Sequence, residues 1–149
     1  MIVIATNRRA FFDYTIDGIY EAGIVLRGDE VKSIRAKQVS LADSFAIVKD
    51  GQVFLLNCHI APYKYAYDKK DTSRQTRALL LHKKEINKLI GAVSRQGLTL
   101  IPLRMYFNTR GFVKVEIGLA KHKKNVDKKE QIKERDIKRE TLRESKIRL

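Results

Sequence analysis

Residues 44–60 read SFAIVKDGQVFLLNCHI, and the fold class turns on this stretch. Phe45 and Ile47 mark one face of a first arm, and Val53 and Leu55 mark one face of a second. Asp50-Gly51 sits between them. Asp-Gly between two apolar runs predicts a type I′ turn, because both central residues need positive φ, and that turn makes an antiparallel hairpin. Cys58-His59 falls inside the apolar second arm.

Residues 98–107 are a further strand-like run. Ile101, Leu103, Met105 and Phe107 alternate with Pro102, Arg104 and Tyr106, and Pro102 marks an edge or a bulge. A turn at Asn108 to Gly111 leads into Val113, Val115 and Ile117, which alternate with Lys114 and Glu116. Residues 14–26 form the first extended segment, with bends expected at Gly18 and Gly23. That makes five strand-like runs. A helix is predicted over 83–96, where Ile86, Leu89, Ile90 and Val93 give the i, i+3, i+4, i+7 stripe. Gly97 follows as the C-cap, whereas His82 is a poor N-cap. A shorter helix is predicted over 29–36, with Val31 and Ile34 on one side and Lys32 and Arg35 on the other. Three strands, a helix and two strands fit a small five-stranded barrel of the OB type, and also other α+β arrangements.

Charge points to the partner. The 149 residues hold 31 Lys and Arg against 17 Asp and Glu, a net +14 with a pI near 10.0. Such a balance calls for a polyanion, either nucleic acid or an anionic membrane surface. The longest apolar run, Met1 to Ala5, is too short for a membrane span or a signal-peptide core. The chain therefore reads as intracellular and soluble. The single cysteine, Cys58, excludes an internal disulfide and a Cys-rich zinc site.

Composition divides the chain into a body, 1–120, and a basic tail, 121–149. The tail carries 12 basic and 6 acidic residues, against 19 and 11 in the body. Its apolar residues Ile132, Ile137, Leu142 and Ile147 recur every five positions and so spiral round a helix without forming a stripe. The tail contains good helix formers but has no face to bury. It is expected to be disordered when free and helical on a partner, or else a solvated charge run. Residues 63–78 place Tyr63, Tyr65 and Tyr67 among basic residues. That composition suits stacking on unpaired bases, and equally an ordinary exposed loop.

No constellation for catalysis stands out. His59, His82 and His122 lie at no metal-ligand spacing to one another or to Cys58, and no phosphate-binding glycine motif is present. Glu21, in a largely apolar stretch, has a plain reading as a salt-bridged strand residue.

The stretches NRRAFFDY (7–14), EAGIVLRGDEVKSIRA (21–36), DSFAIVKDGQVFLLN (43–57), TRALLLHKKEINKLIG (76–91), GLTLIPLRMYF (97–107), KVEIGLAK (114–121) and DKKEQIKER (127–135) together resemble the SsrA-binding protein family, also called small protein B. The resemblance implies an OB-like β-barrel with flanking helices. It implies binding to the tRNA-like domain of transfer-messenger RNA and delivery of that RNA to stalled 70S ribosomes, beside small-subunit ribosomal RNA. It further implies a cytoplasmic protein that is not an enzyme, needs no cofactor, metal or membrane, and binds the RNA one-to-one as a monomer. Carried over by position, the RNA-binding residues are Asn7, Arg8, Glu21, Leu80, His82 and Lys114. The ribosome-binding tail residues are Lys123, Lys124, Asp127, Lys128 and Lys129. Phe12, Gln75, His122, Val126 and Lys129 depart from the family pattern: Phe12 stands in place of a His, Gln75 in place of an Arg, and His122 in place of a Gly before the tail. Two rivals remain at this level, a general RNA-binding or ribosomal protein and an enzyme acting on RNA.

Overall fold

The computed structural model describes residues 1–62 and 72–123. Tyr63, Tyr65 and Tyr67 and the tail residues Lys124, Val126, Asp127, Lys128 and Lys129 lie outside the described residues, as does the expectation of a tail that orders on a partner. The elements run β1 (Ile2–Thr6), α1 (Arg8–Asp13), β2 (Tyr14–Ile24), α2 (Gly28–Arg35), β3 (Val39–Ser40), β4 (Phe45–Lys49), β5 (Gln52–Leu56), β6 (His59–Ile60), β7 (Arg77–Leu80), α3 (Lys83–Gln96), β8 (Thr99–Phe107) and β9 (Val113–His122).

The predicted hairpin is β4–β5, with Asp50 at φ 53° and Gly51 at φ 74°, as a type I′ turn requires. On the second arm the buried side is Val53 and Leu55, the face marked in the sequence; on the first it is Ala46 and Val48, opposite to Phe45 and Ile47. Ala46 pairs with Leu55 and Val48 with Val53 on the core side, so Phe45 and Ile47 point outward beside Leu56 and Phe54. Period-2 alternation marks two faces without saying which is buried when both are apolar. The second arm also ends sooner than predicted. Asn57 adopts φ 61°, and Cys58 lies between β5 and β6.

Antiparallel pairing links β8, β4, β5, β7, β2 and β9 in order, and β9 pairs back on β8 to close a ring. β1 lines the outer half of β8. The barrel therefore has six strands in its ring where five runs were predicted. β7 was missed because RALL shows no alternation and sits in a basic stretch. β1 was missed because a five-residue apolar run has no pattern of its own. The bend expected at Gly23 is absent, since that residue pairs in register with both Lys114 and Leu80, while the irregularity near Gly18 is present.

Pro102 marks a bulge in a well-paired strand. Pro102 faces Ile117 and Arg104 faces Glu116, which leaves Leu103 as the extra residue. The bulge flips the alternation. Ile101 and Leu103 fill a small cluster with Ala10 and Ala120, whereas Met105 and Phe107 belong to the main core. The single face predicted for these four residues is thus two faces. Gly118 lies against this bulge, where a Cβ would come within 2.9 Å of Leu103 Cδ1.

Helix α3 begins after His82, whose backbone N–H donates to Glu85 Oε1 at 3.2 Å, so the cap comes from the third helical residue. It ends at Gly97 in the left-handed region, φ 66°. Its packed side is Ile86, Leu89 and Ala92, while Ile90 and Val93 stay partly exposed. Helix α2 is fixed by Glu30, which accepts from the Arg27 N–H at 3.0 Å and forms a buried ion pair with Arg77 at 2.7 Å.

Candidate nucleic-acid interface

The closed ring aligns two rows of side chains on the outside of β8, β9, β2 and β7. In one row Tyr106 faces Lys114, Lys114 faces Gly23, and Gly23 faces Leu80. In the next, Arg104 faces Glu116 and Glu116 faces Glu21. Gly23 has no side chain, and Leu80 packs over its backbone: a Cβ at Gly23 would come within 3.3 Å of Leu80 Cβ. Glu21, Leu80, Leu81, His82, Glu85 and Lys114 line a cleft of about 310 Å³ there.

The chemistry of this cleft is mixed. Leu80 is 60% exposed and gives an apolar ledge on which a base or ribose can rest. Lys114 supplies a cation for a phosphate, and the exposed Lys83 and Lys84 follow His82 at the start of α3. Glu21 supplies an acceptor. Its carboxylate already accepts a hydrogen bond from the Tyr106 hydroxyl, and among the described residues the ion pair in this row belongs to its neighbour Glu116. Glu116 is held by Arg104 through two bonds, Nε at 3.0 Å and Nη2 at 2.6 Å. That bidentate bond, with the attraction of the Glu116 charge, raises the Arg104 pKa. Burial, then the bond to Glu21, raises the Tyr106 pKa well above its ordinary value and keeps the hydroxyl a donor.

Four of the six residues expected on the RNA face thus come together, although they stand at positions 21, 80, 82 and 114. The other two lie elsewhere. Arg8 is exposed in the first turn of α1, beside Thr6, Ser40 and Leu41. Asn7 is 8% exposed and its side chain is engaged at both ends. It accepts from the Ala10 N–H at 3.3 Å as the cap of α1 and donates to Pro102 O at 3.0 Å. Its own N–H donates to Leu103 O at 2.8 Å, which ties α1 to the bulge.

Lys123, the last described residue, leaves the barrel next to α1. Its N–H donates to Asp13 O at 2.9 Å and its ammonium to Phe11 O at 3.2 Å. His122 closes β9 opposite Tyr14, with ring centroids 5.0 Å apart and edge-on. Strand β9 therefore runs two residues past the compositional boundary at 120. Gln75, a departure from the family pattern, donates to Glu30 at 3.2 Å and so supports the buried ion pair.

Sequence reasoning did not single out Tyr106, Arg104, Glu116 or Glu85 for the face. A usable signal existed. Tyr106 and Arg104 share one side of β8, and the turn at 108–111 folds that side onto Lys114 and Glu116. Glu85 stands three residues after His82, the spacing of a capping acid. Among the described residues no group of three or more His, Cys, Asp or Glu could hold a metal ion, and no helix is long and apolar enough to cross a membrane.

Known proteins resemble the chain over most of its length. The family described as "SmpB protein" matches residues 4–147. The chain belongs to this family, the SsrA-binding proteins. An SsrA-binding protein of Coprothermobacter proteolyticus is 56% identical over 149 residues, 99% of each chain. One from Thermosipho melanesiensis is 54% identical, over 93% of this chain and 95% of the relative. A family member in a solved structure described as "tmRNA-SmpB: a journey to the center of the bacterial ribosome" is 51% identical. It covers 80% of this chain and 84% of its own, with a TM-score of 0.66.

Proposed function

We propose that this protein binds transfer-messenger RNA at its tRNA-like domain and carries it to stalled ribosomes, acting in the cytoplasm as a one-to-one RNA ligand and not as an enzyme. The observation that carries the reading is the meeting of Glu21, Leu80, His82 and Lys114 in one cleft, since the same four positions carry the resemblance to the family's RNA face. Acceptor, apolar ledge and cation side by side match what an RNA strand offers: a ribose or base donor, a flat face and a phosphate. Arg8, outside this cleft, offers a separate phosphate contact. Asn7 serves it by holding α1 in place. The body, 1–120, is the RNA-binding unit. The tail, 121–149, acts at the ribosome, where Lys123, Lys124, Lys128 and Lys129 meet ribosomal RNA phosphates and Asp127 takes a backbone or base donor.

The test is binding of transfer-messenger RNA across a salt series. Log affinity should fall linearly with log salt, by roughly 0.7–0.9 per phosphate neutralised. Glu21→Ala should bind roughly tenfold or more weakly with its fold intact, the effect of one charge-assisted contact. A chain ending at Lys124 should keep RNA binding and lose tagging on the ribosome. Equal affinity for an unrelated structured RNA at physiological salt would leave a general RNA-binding protein.

A further inference from the structure

The Glu21 carboxylate stands on an exposed strand directly opposite another carboxylate, Glu116. Like charges facing each other across a ladder repel, and a glutamate on a surface strand has several rotamers through which to escape. Two neighbours remove that freedom. Arg104 takes both oxygens of Glu116 with its fork. The Tyr106 hydroxyl goes to Glu21, and it donates to one of the two Glu21 oxygens, Oε2. Tyr106 is 4% exposed, so its ring cannot swing out, and the hydroxyl fixes where that oxygen sits.

We propose that Tyr106 is the positioning residue of the RNA face: it holds one oxygen of Glu21 so that the other is presented as a single, aimed acceptor, and Arg104 makes this possible by occupying Glu116. The proposal rests on the reading of the face given above. The group that Glu21 receives is one hydrogen-bond donor of the RNA. A carboxylate with both oxygens loose would have to be ordered at the moment of binding, and that ordering weakens affinity. The raised Tyr106 pKa fits this role, since the hydroxyl remains a donor at any pH at which RNA is bound.

The test is a double-mutant cycle on the full chain with transfer-messenger RNA as the probe. Tyr106→Phe removes the hydroxyl alone and should weaken binding roughly fivefold, about one hydrogen bond's effect. In a Glu21→Ala background the same change should have almost no further effect, because the oxygen it positions is gone. Independent, additive losses would overturn the proposal, because a tyrosine acting only through stability has no reason to depend on Glu21. Tyr106→Phe binding like the unaltered chain, while Glu21→Ala binds weakly, would overturn it and leave the reading of the face intact. Glu21→Ala binding like the unaltered chain would overturn both. If Tyr106→Phe does not fold, a second pair decides. Arg104→Gln should weaken binding by freeing Glu116 to repel Glu21, and Arg104→Gln with Glu116→Gln should restore it. Failure of that restoration would also overturn the proposal.

Discussion

Replacing Arg77 by Met should be among the most destabilising single changes in the barrel. The guanidinium is 1% exposed and reaches five acceptors: Glu30 Oε2 at 2.7 Å, Cys58 O at 2.7 Å, Ser73 O at 3.1 Å, Gln75 O at 3.2 Å and Thr72 O at 3.3 Å. Methionine keeps much of the volume and satisfies none of these groups. Breaking a buried ion pair from one side typically costs about 3–5 kcal/mol, because the partner charge stays buried. Here Glu30 retains the Arg27 N–H at 3.0 Å and the Gln75 amide at 3.2 Å, which holds the loss near the lower end. A loss of about 3 kcal/mol lowers the melting temperature of a chain this size by roughly 6–12 °C. Urea unfolding at fixed m-value gives the free energy directly. Arg77→Met with Glu30→Gln should recover part of the loss, since the stranded charge is removed while the helix cap survives. Arg77→Lys should recover little, because an ammonium cannot span five acceptors arranged for a planar fork. A loss below about 1 kcal/mol would refute the reasoning, placing this pair with surface salt bridges. Transfer-messenger RNA binding should weaken as well, because β7 and the strand end that presents Leu80 and His82 are anchored through this residue.

Two further outcomes follow from other parts of the structure. Asn7→Ala removes the cap of α1 and the tie to Pro102, so unfolding should become easier by about 1–2 kcal/mol while RNA affinity well below melting stays nearly constant; a large affinity loss at unchanged stability would make Asn7 a direct RNA contact. Burial pushes the Cys58 thiol up from 9.0 to about 11; the folded state then holds its proton more tightly than the unfolded one, so this contribution to stability is complete below pH 9 and declines between pH 9 and about 11. Cys58→Ala should flatten that decline, and iodoacetamide at pH 8 should leave Cys58 untouched until the chain is unfolded; rapid alkylation of the folded chain would contradict the buried thiol.

Local signals in this chain were legible where one residue type has one structural use. Asp50-Gly51 and Gly97 were read correctly because positive φ is a property of the residue and its immediate neighbours. The α3 stripe was read from its period, yet the packed side proved to be Ile86, Leu89 and Ala92, since an alanine carries no weight in an apolar pattern. The hairpin was placed correctly, and so was the inner face of β5, Val53 and Leu55; on β4 the marked face, Phe45 and Ile47, points outward, because both faces of that strand are apolar. Pro102 announced a bulge, but its consequence, the transfer of Met105 and Phe107 to the other side of the sheet from Leu103, depends on where β9 pairs. The short elements β1, α1, β3, β6 and β7 left no usable pattern, since two to six residues span too few periods.

The amino-acid sequence alone narrowed the partner to a polyanion, through a net +14 and its concentration towards the C-terminus, and it pointed to the family, through motifs in fixed order. It also marked Glu21, Leu80, His82 and Lys114 one by one. The tertiary structure alone showed that these four line one cleft, that the Asn7 side chain caps α1 and bonds Pro102, and that Tyr106 donates to Glu21 while Arg104 donates to Glu116. The physical reason lies in the ring of strands. Closure of β9 onto β8 sets residues 21, 80, 106 and 114 side by side through registers set by a bulge at Leu103 and by the pairing of Gly23 with both Lys114 and Leu80. Register is a relation between strands distant in the chain, and a one-residue slip would turn every one of these side chains to the opposite face.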